Sequence, residues 1–380
     1  MNDVDGVGPD HDREQSSGAA NRAEGHATFK DVNDRAQRIF LWQYERSRDQ
    51  LVALYNRAST SQWSSERDLD WTIEVDPVKH VDVDSPAMRL YREAGRIPGS
   101  PLSTWDDREY LDLALELQKA MLSQFMHGEQ GAMMTAAKIV ETVPWIDARY
   151  YAATQTMDEA RHTEVFARYL NEKLGDAYPM NRFLEEQITV LLEDSRWDIA
   201  YLGMQVIIES LALAAFGDMH RRTDEPLLKR LLRYVMSDEA RHVAFGILSL
   251  SELYSELSEG ELKERQEFLL ENTIRNRTRA TTPEVWVRLG VDPAALMPFV
   301  VEASAKFKSG FDRTMMSGFF SKLVPNVRKL GLLDANDGYL RRAWGEAGLL
   351  EFEFADDTAS DYASYDEVSK DREEASAIGN

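Results

Sequence analysis

The chain has 380 residues, 43% of them hydrophobic and 29% charged, a composition that fits an ordinary globular protein and excludes collagenous or low-complexity classes. It contains no cysteine, so no disulfide, zinc–thiolate site, iron–sulfur cluster or thiol nucleophile can be built, and any metal must be held by His, Asp and Glu. A formal net charge of −22 argues against nucleic acid as a principal partner.

Residues 1–28 carry six acids against two bases and few large aliphatics, so an acidic disordered tail is expected there. No apolar stretch opens the chain, so no signal peptide is read and the cytoplasm is the expected location. Residues 29–103 are expected to be an N-terminal helix and a long connection. Ile39, Phe40, Trp42, Leu51, Leu54 and Tyr55 recur at helical intervals between Phe29 and about Trp63. Pro77, Pro86, Pro98 and Pro101 then predict turns with one short helical piece. Thr104, Asp106 and Asp107 start a helix that Pro144 stops. A second helix runs from about Ile146 to Leu174, ended by Gly175, and a third from about Ser195 to His220. The fourth starts at Pro226 and continues to about Leu257. Between the second and third, Gly175 to Asp194 is either a short helix climbing the bundle or an ordinary surface helix.

Ile199 to Met219 is apolar apart from Glu209, which raises a membrane question. A helix apolar all round because other helices surround it is the better account, so no membrane partner is expected. Residues 258–350 read as C-terminal helices packing on the bundle: Leu262 to Arg279, Pro293 to Leu323 and Tyr339 to Leu349. Residues 351–380, with ten acids against two bases, read as a second disordered tail. Nothing reads as a sheet, and the fold class is all-α.

The pentapeptide Asp-Glu-Ala-Arg-His occurs twice, at Asp158 to His162 and at Asp238 to His242. A glutamate and a histidine three residues apart share one helix face, so each copy aims an oxygen and a nitrogen ligand the same way. Glu129 precedes the first copy's glutamate by 30 residues, and Glu209 precedes the second copy's by 30. At about 1.5 Å per residue, the two members of each pair reach similar height in a helical hairpin. Residues 129, 159, 162 and 209, 239, 242 therefore form equal sets offset by 80, as two helix pairs related by approximate twofold symmetry would give. Four carboxylates and two divalent ions cancel in charge, which accounts for Glu209 in its apolar helix. The other reading of Glu209 is a protonated or strained buried acid.

A glutamate from each of two helices and Glu-x-x-His from each of two others resembles the ferritin-like di-iron carboxylate superfamily. The longer form Asp-Glu-x-Arg-His, present here twice, is similar to its oxygen-activating branches, which include bacterial multicomponent monooxygenases and the ribonucleotide reductase small subunit. The resemblance covers about Thr104 to Leu257. It implies a four-helix bundle over residues 104–257, with Glu129, Glu159, His162, Glu209, Glu239 and His242 as ligands of two iron ions, Mn/Fe being the alternative pair. It also implies that Asp158 and Asp238 accept the imidazole N–H of a ligand histidine on the opposite helix, and that Arg161 and Arg241 steady those aspartates. A homodimer is the usual assembly among such proteins.

Three positions depart from relatives. Phe166 stands where ribonucleotide reductase small subunits commonly place a radical tyrosine. Leu213 replaces the threonine of the multicomponent monooxygenases, and Val235 the extra histidine of the arylamine N-oxygenases. Phe125, Met133, Gln155, Phe166, Gln205 and Leu213, within about a turn of the ligands, are candidates for a substrate pocket, or simply core. Gly128 and Gly131 flank Glu129 and allow a helix distortion, a close neighbour or ordinary glycine packing. The resulting expectation is a di-iron oxygenase or oxidase using O2 to hydroxylate, N-oxygenate or desaturate a small organic substrate. Electrons come from a reductase or ferredoxin, because the chain has no flavin or nicotinamide fingerprint. A radical-generating subunit, a ferroxidase or iron-storage protein and a metal-free helical interaction protein are the alternatives.

Overall fold

The computed structural model describes residues 38–276, 283–307 and 311–355, together with 366, 367, 370 and 371. The expected tail over 1–28 lies outside them. Every regular element among the described residues is helical. In chain order these are α1 (Asp49–Thr60), α2 (Ser65–Asp68), α3 (Pro86–Gly95), α4 (Asp107–Thr142), α5 (Ile146–Tyr169), α6 (Arg182–Glu193), α7 (Trp197–Tyr201), α8 (Glu209–Arg222) and α9 (Pro226–Tyr254). They continue as α10 (Glu259–Asn276), α11 (Pro283–Arg288), α12 (Pro293–Phe307), α13 (Phe311–Lys329) and α14 (Ala335–Glu346).

Four long segments make the bundle. The first, α4, opens on a capping box in which the Asp106 carboxylate accepts the Arg108 and Glu109 N–H groups while Glu109 accepts that of Asp106. Val143 and Pro144 turn the chain into α5, and α4 and α5 form the most extensive helix pair among the described residues. A π-helical turn, Leu170–Leu174, extends α5 before Gly175 ends it at φ 92°, a left-handed conformation that suits glycine. The third segment is built from α7, a π-helical stretch over Leu202–Ile208, and α8. The Glu225 carboxylate caps α9 by accepting the N–H groups of Leu227 and Leu228, with Pro226 in the first turn.

Between the hairpins, α6 climbs along α4, and the chain passes close there. A Cβ on Gly131 would lie 2.4 Å from Ile188 Cδ1, and one on Gly203 would lie 2.1 Å from Leu191 Cδ2, so both glycines admit α6. Gly128 has open space around it, so a close neighbour explains Gly131 alone. Lys138 donates to the Leu192 and Asp194 carbonyls and so serves the carbonyl end of α6. The apolar run Trp197–Arg222 is long enough to cross a membrane, but most of it is buried among the other helices.

Several elements differ from the sequence expectation. Residues 29–37 of the helix expected over Phe29 to Trp63 lie outside the described residues; among the described ones Asp49–Thr60 is helical, and residues 38–48 have no regular structure. The N–H groups of Ser47 and Arg48 and the Arg46 side chain donate to the buried Asp147 carboxylate, which ties this segment to the start of α5. Phe40, Trp42 and Tyr44 are all exposed, an alternation with a period of two. The connection over 64–103 contains two helices, since Ser85 caps α3 and Pro86, read as a breaker, begins it. Of the helix expected over Pro293 to Leu323, Pro293–Phe307 (α12) and the stretch from Phe311 onward (α13) are helical, and residues 308–310 lie outside the described set. Asp366, in the expected C-terminal tail, is buried, accepts a hydrogen bond from Ser61 and pairs with Arg57. Asp371 accepts hydrogen bonds from Tyr234 and Arg233. These described residues therefore hold defined polar contacts that an acidic composition does not forecast.

Candidate metal centre

Glu129 comes from α4, Glu159 and His162 from α5, Glu209 from the first residue of α8, and Glu239 and His242 from α9. All six are buried. They fall into two groups, Glu129, Glu159, His162 and Glu239 on one side and Glu159, Glu209, Glu239 and His242 on the other. Within each group the ligand atoms all lie within 4.8 Å of one another. Glu159 and Glu239 belong to both groups, so each half has one glutamate and one imidazole of its own and shares two carboxylates.

The imidazoles fix the polarity of the site. His162 Nε2 lies 3.0 Å from Asp238 Oδ2, and His242 Nε2 lies 3.4 Å from Asp158 Oδ2, so each histidine meets the aspartate of the opposite pentapeptide. With Nε2–H committed to an aspartate, each Nδ1 turns a lone pair toward the carboxylates. His162 Nδ1 stands 3.2 Å from Glu129, 3.3 Å from Glu159 and 3.0 Å from Glu239. His242 Nδ1 stands 3.0 Å from Glu159 and 3.2 Å from Glu239. Glu159 Oε2 and Glu239 Oε1 are buried and take no hydrogen bond among the described residues. Lone pairs converging in this way repel one another unless a cation or protons lie between them.

Charge leads to the same requirement. Four glutamates and two aspartates against Arg161 and Arg241 leave −4 in buried surroundings, which two divalent ions cancel. In the metal-free chain, protons take that place. Burial, reinforced by the charge of Glu239, raises the pKa of Glu129 and of Glu209 well above the carboxylate range. Burial opposes the charged forms of His162 and His242, but Asp238 and the glutamates around His162, and Glu159 beside His242, raise both well above the usual imidazole value. Burial likewise opposes ionisation of Asp238, and Arg241, His162 and Arg161 overcome it and hold this carboxylate ionised. The residues present therefore fit a pair of divalent cations.

A second layer of contacts departs from the twofold pattern. Arg161 Nη2 donates to Asp158 at 2.6 Å and to Asp238 at 3.0 Å, while Arg241 donates to Asp238. Two residues just past α1 complete the set. Trp63 Nε1 donates to Asp238 at 2.7 Å, and Gln62 Nε2 donates to Asp158 at 2.8 Å. The Arg161 guanidinium stacks over the Trp63 ring at 4.6 Å. Neither Gln62 nor Trp63 was singled out in the sequence, because an amide and an indole following a helix carry no spacing signal toward a site about a hundred residues away.

Among the candidate pocket residues, Gln155 donates to Glu159 at 2.9 Å and to Glu209 at 3.4 Å, and Gln205 donates to Gln155 at 3.4 Å. The π-helical stretch that carries Gln205 leads directly into Glu209, and its extra residue per turn shifts the register of that helix next to the site. Phe125 and Phe166 pack with Phe216, Phe125 meeting it edge-on at 4.6 Å and Phe166 lying near parallel at 5.6 Å. Leu213 is buried, and Met133 is half-buried one turn beyond Glu129. His127 meets the Tyr178 carbonyl at 2.9 Å and belongs to neither four-ligand group.

The helices and the cluster together define an all-α, ferritin-like carboxylate–histidine bundle. No family model matches this sequence, and no curated protein matches it. Among solved structures, the chain is similar to a single-residue variant of an R2-like ligand-binding oxidase with an anaerobically reconstituted Mn/Fe cofactor. The match covers 74% of this chain and 91% of that one at 16% identity and a TM-score of 0.39, too loose a likeness to carry residues or activity across.

Proposed function

We propose that this chain is a non-haem, carboxylate-bridged di-metal oxidase or oxygenase that uses O2 to hydroxylate, N-oxygenate or desaturate a small organic compound. The observation that carries the reading is the pair of four-ligand groups sharing Glu159 and Glu239, buried where two divalent ions cancel the charge. Glu129 and His162 would complete one metal position, and Glu209 and His242 the other. Bound ferrous ions supply the one-electron chemistry that O2 reduction requires and that side chains alone lack. Two irons are the favoured pair and Mn/Fe the alternative, since carboxylate and imidazole ligands suit both metals.

The chain's own residues supply position and exclusion. Asp158 and Asp238 hold the imidazoles so that Nδ1 faces the glutamates, where it would bind a metal, and Gln155 restrains the Glu159 and Glu209 carboxylates. Phe125, Phe166 and Phe216 offer an apolar wall for an organic substrate. Phe166 in place of a tyrosine speaks against a radical-storing subunit. Reducing equivalents come from an external reductase or ferredoxin, and a cytoplasmic homodimer is the assembly we propose.

The test is anaerobic ferrous loading with a metal count, followed by O2 exposure with candidate organic compounds present. Two irons per chain and an oxygenated or desaturated product support the reading. Uptake of iron far beyond two with mineral formation would instead identify a ferroxidase, and a chain that retains no metal would be a helical interaction protein.

A further inference from the structure

A series of aromatic rings runs from the helix that carries His242 to one end of the bundle. Phe245 lies one turn beyond His242 on α9 and packs on Tyr151 of α5 at 4.3 Å between centroids. Tyr201, the last residue of α7, stands 5.0 Å from Phe245, and Trp197 stands 5.4 Å from Tyr201. Trp145, in the turn before α5, meets Trp197 edge-on at 5.2 Å. The three inner rings are fully buried and the two indoles are half-buried.

Trp145 also lines a surface groove of about 180 Å³, together with Leu51, Ser249 and Glu252. The Arg48 guanidinium lies over the Trp145 ring at 4.5 Å, and its charge is met by a two-point pair with Glu252. Between Ile146 and Glu159, α5 rises about 20 Å, and tunnelling over such a span depends on the groups packed along it. The rings divide that span into short contacts drawn from four separate elements.

We propose that this ring series is the electron route between the surface and the metal pair, with Trp145 and Trp197 as the groups transiently oxidised. The proposal rests on the metal-site reading above. A one-electron donor at the groove, of the reduced flavin or iron–sulfur protein class, loses one electron and the oxidised metal pair gains it. An electron moving inward is an oxidising equivalent moving outward, so the indoles cycle through their radical cations. No bond is made or broken, and no proton leaves the chain. The Tyr151 hydroxyl is buried and meets no hydrogen-bond acceptor among the described residues, so its ring conducts without being oxidised. Burial raises the Tyr151 pKa, consistent with that role.

The absence of native cysteine makes the test site-specific. A photo-oxidant is attached to a single cysteine introduced by Gln50→Cys in the groove wall, and oxidising equivalents are generated there by a laser flash. In metal-free protein, transient absorption and electron paramagnetic resonance should show indole radical at both Trp145 and Trp197, and at Trp145 alone in Trp197→Phe. In ferrous-loaded protein the indole signal should decay as iron is oxidised. That rate should fall at least tenfold in Trp197→Phe and in Trp145→Phe, and stay unchanged in Trp105→Phe at the opposite end of the bundle. Helix content and iron count are measured first for every variant. Confinement of the radical to Trp145 in the parent, or an unchanged rate in Trp197→Phe, would overturn the route, as would slowing seen only in Trp63→Phe. Failure of the metal-site reading shows separately, as absence of bound iron in the parent, and would overturn the route's destination.

Discussion

Glu209→Gln separates the charge of one ligand from its volume. Glu209 belongs to only one of the two four-ligand groups, so the substitution leaves the Glu129, Glu159, His162 and Glu239 group complete. The buried site carries −4 before metal binds, and −3 with glutamine, so two divalent ions would leave one uncompensated positive charge. Burying an unpaired charge costs several kcal/mol. Taking about 3 kcal/mol, the second ion binds roughly a hundredfold more weakly. In the metal-free chain the outcome is different. Burial keeps the Glu209 carboxyl protonated, and glutamine resembles a protonated glutamate in shape, so metal-free stability should change by no more than about 1 kcal/mol. The assay is iron content after desalting, with thermal melts in the presence and absence of iron. One iron per chain, an unchanged metal-free melt and a smaller iron-dependent gain are expected. Two tightly held irons, or a metal-free variant that no longer folds, would refute the reasoning.

Asp238→Asn removes the partner of His162, Trp63, Arg161 and Arg241 at once, so it should destabilise the fold by about 3–5 kcal/mol in chemical denaturation. It should also weaken iron binding roughly 10- to 100-fold, measured by competition with a chelator. Gly128→Ala, in open space, should stabilise α4 by up to about 1 kcal/mol, whereas Gly131→Ala presses on Ile188 and should cost about 1–3 kcal/mol in the same assay. The pH dependence follows from the shifts. His162, His242, Glu129 and Glu209 are raised, so they stabilise the metal-free fold at low pH and lose that contribution as pH climbs through their folded values. For the histidines the loss lies above the ordinary imidazole value of 6.5. Asp238, lowered, gives its contribution above the ordinary carboxylate range and loses it only in strong acid. The metal-free melting temperature should therefore fall from neutral toward alkaline pH. Iron should offset that fall and release protons as it binds, which calorimetry in buffers of different ionisation enthalpy measures.

The bundle and its six converging side chains were legible because helical geometry converts residue spacing into height. Equal separations of 30 about two turns, with a glutamate and histidine three apart, leave few ways to arrange the helices other than a shared level. The crosswise Asp158 and Asp238 contacts came from resemblance, since spacing alone does not say which histidine an aspartate meets. Gln62 and Trp63 were hidden because their role depends on where α1 docks, a long-range packing outcome. The π-helical stretch before Glu209 was equally hidden, because an extra backbone residue in a uniformly apolar segment leaves the hydrophobic pattern unbroken. Residues 38–48 misled for a related reason. Ile39, Phe40 and Trp42 supply apolar density at which a helical count scores well, while the backbone donors of Ser47 and Arg48 go to Asp147. Asp366 shows the limit of composition, since a single buried carboxylate met by Ser61 and Arg57 orders a residue whose neighbours read as tail.

The most direct measurement is anomalous X-ray scattering at the iron edge from crystals loaded with ferrous iron under anaerobic conditions. The expected map has two peaks between α5 and α9, one beside His162 Nδ1 and Glu129 and the other beside His242 Nδ1 and Glu209, with Glu159 and Glu239 contacting both. Peaks only at the protein surface, or a cluster without iron whose histidines remain hydrogen-bonded to protonated carboxyls, would contradict it.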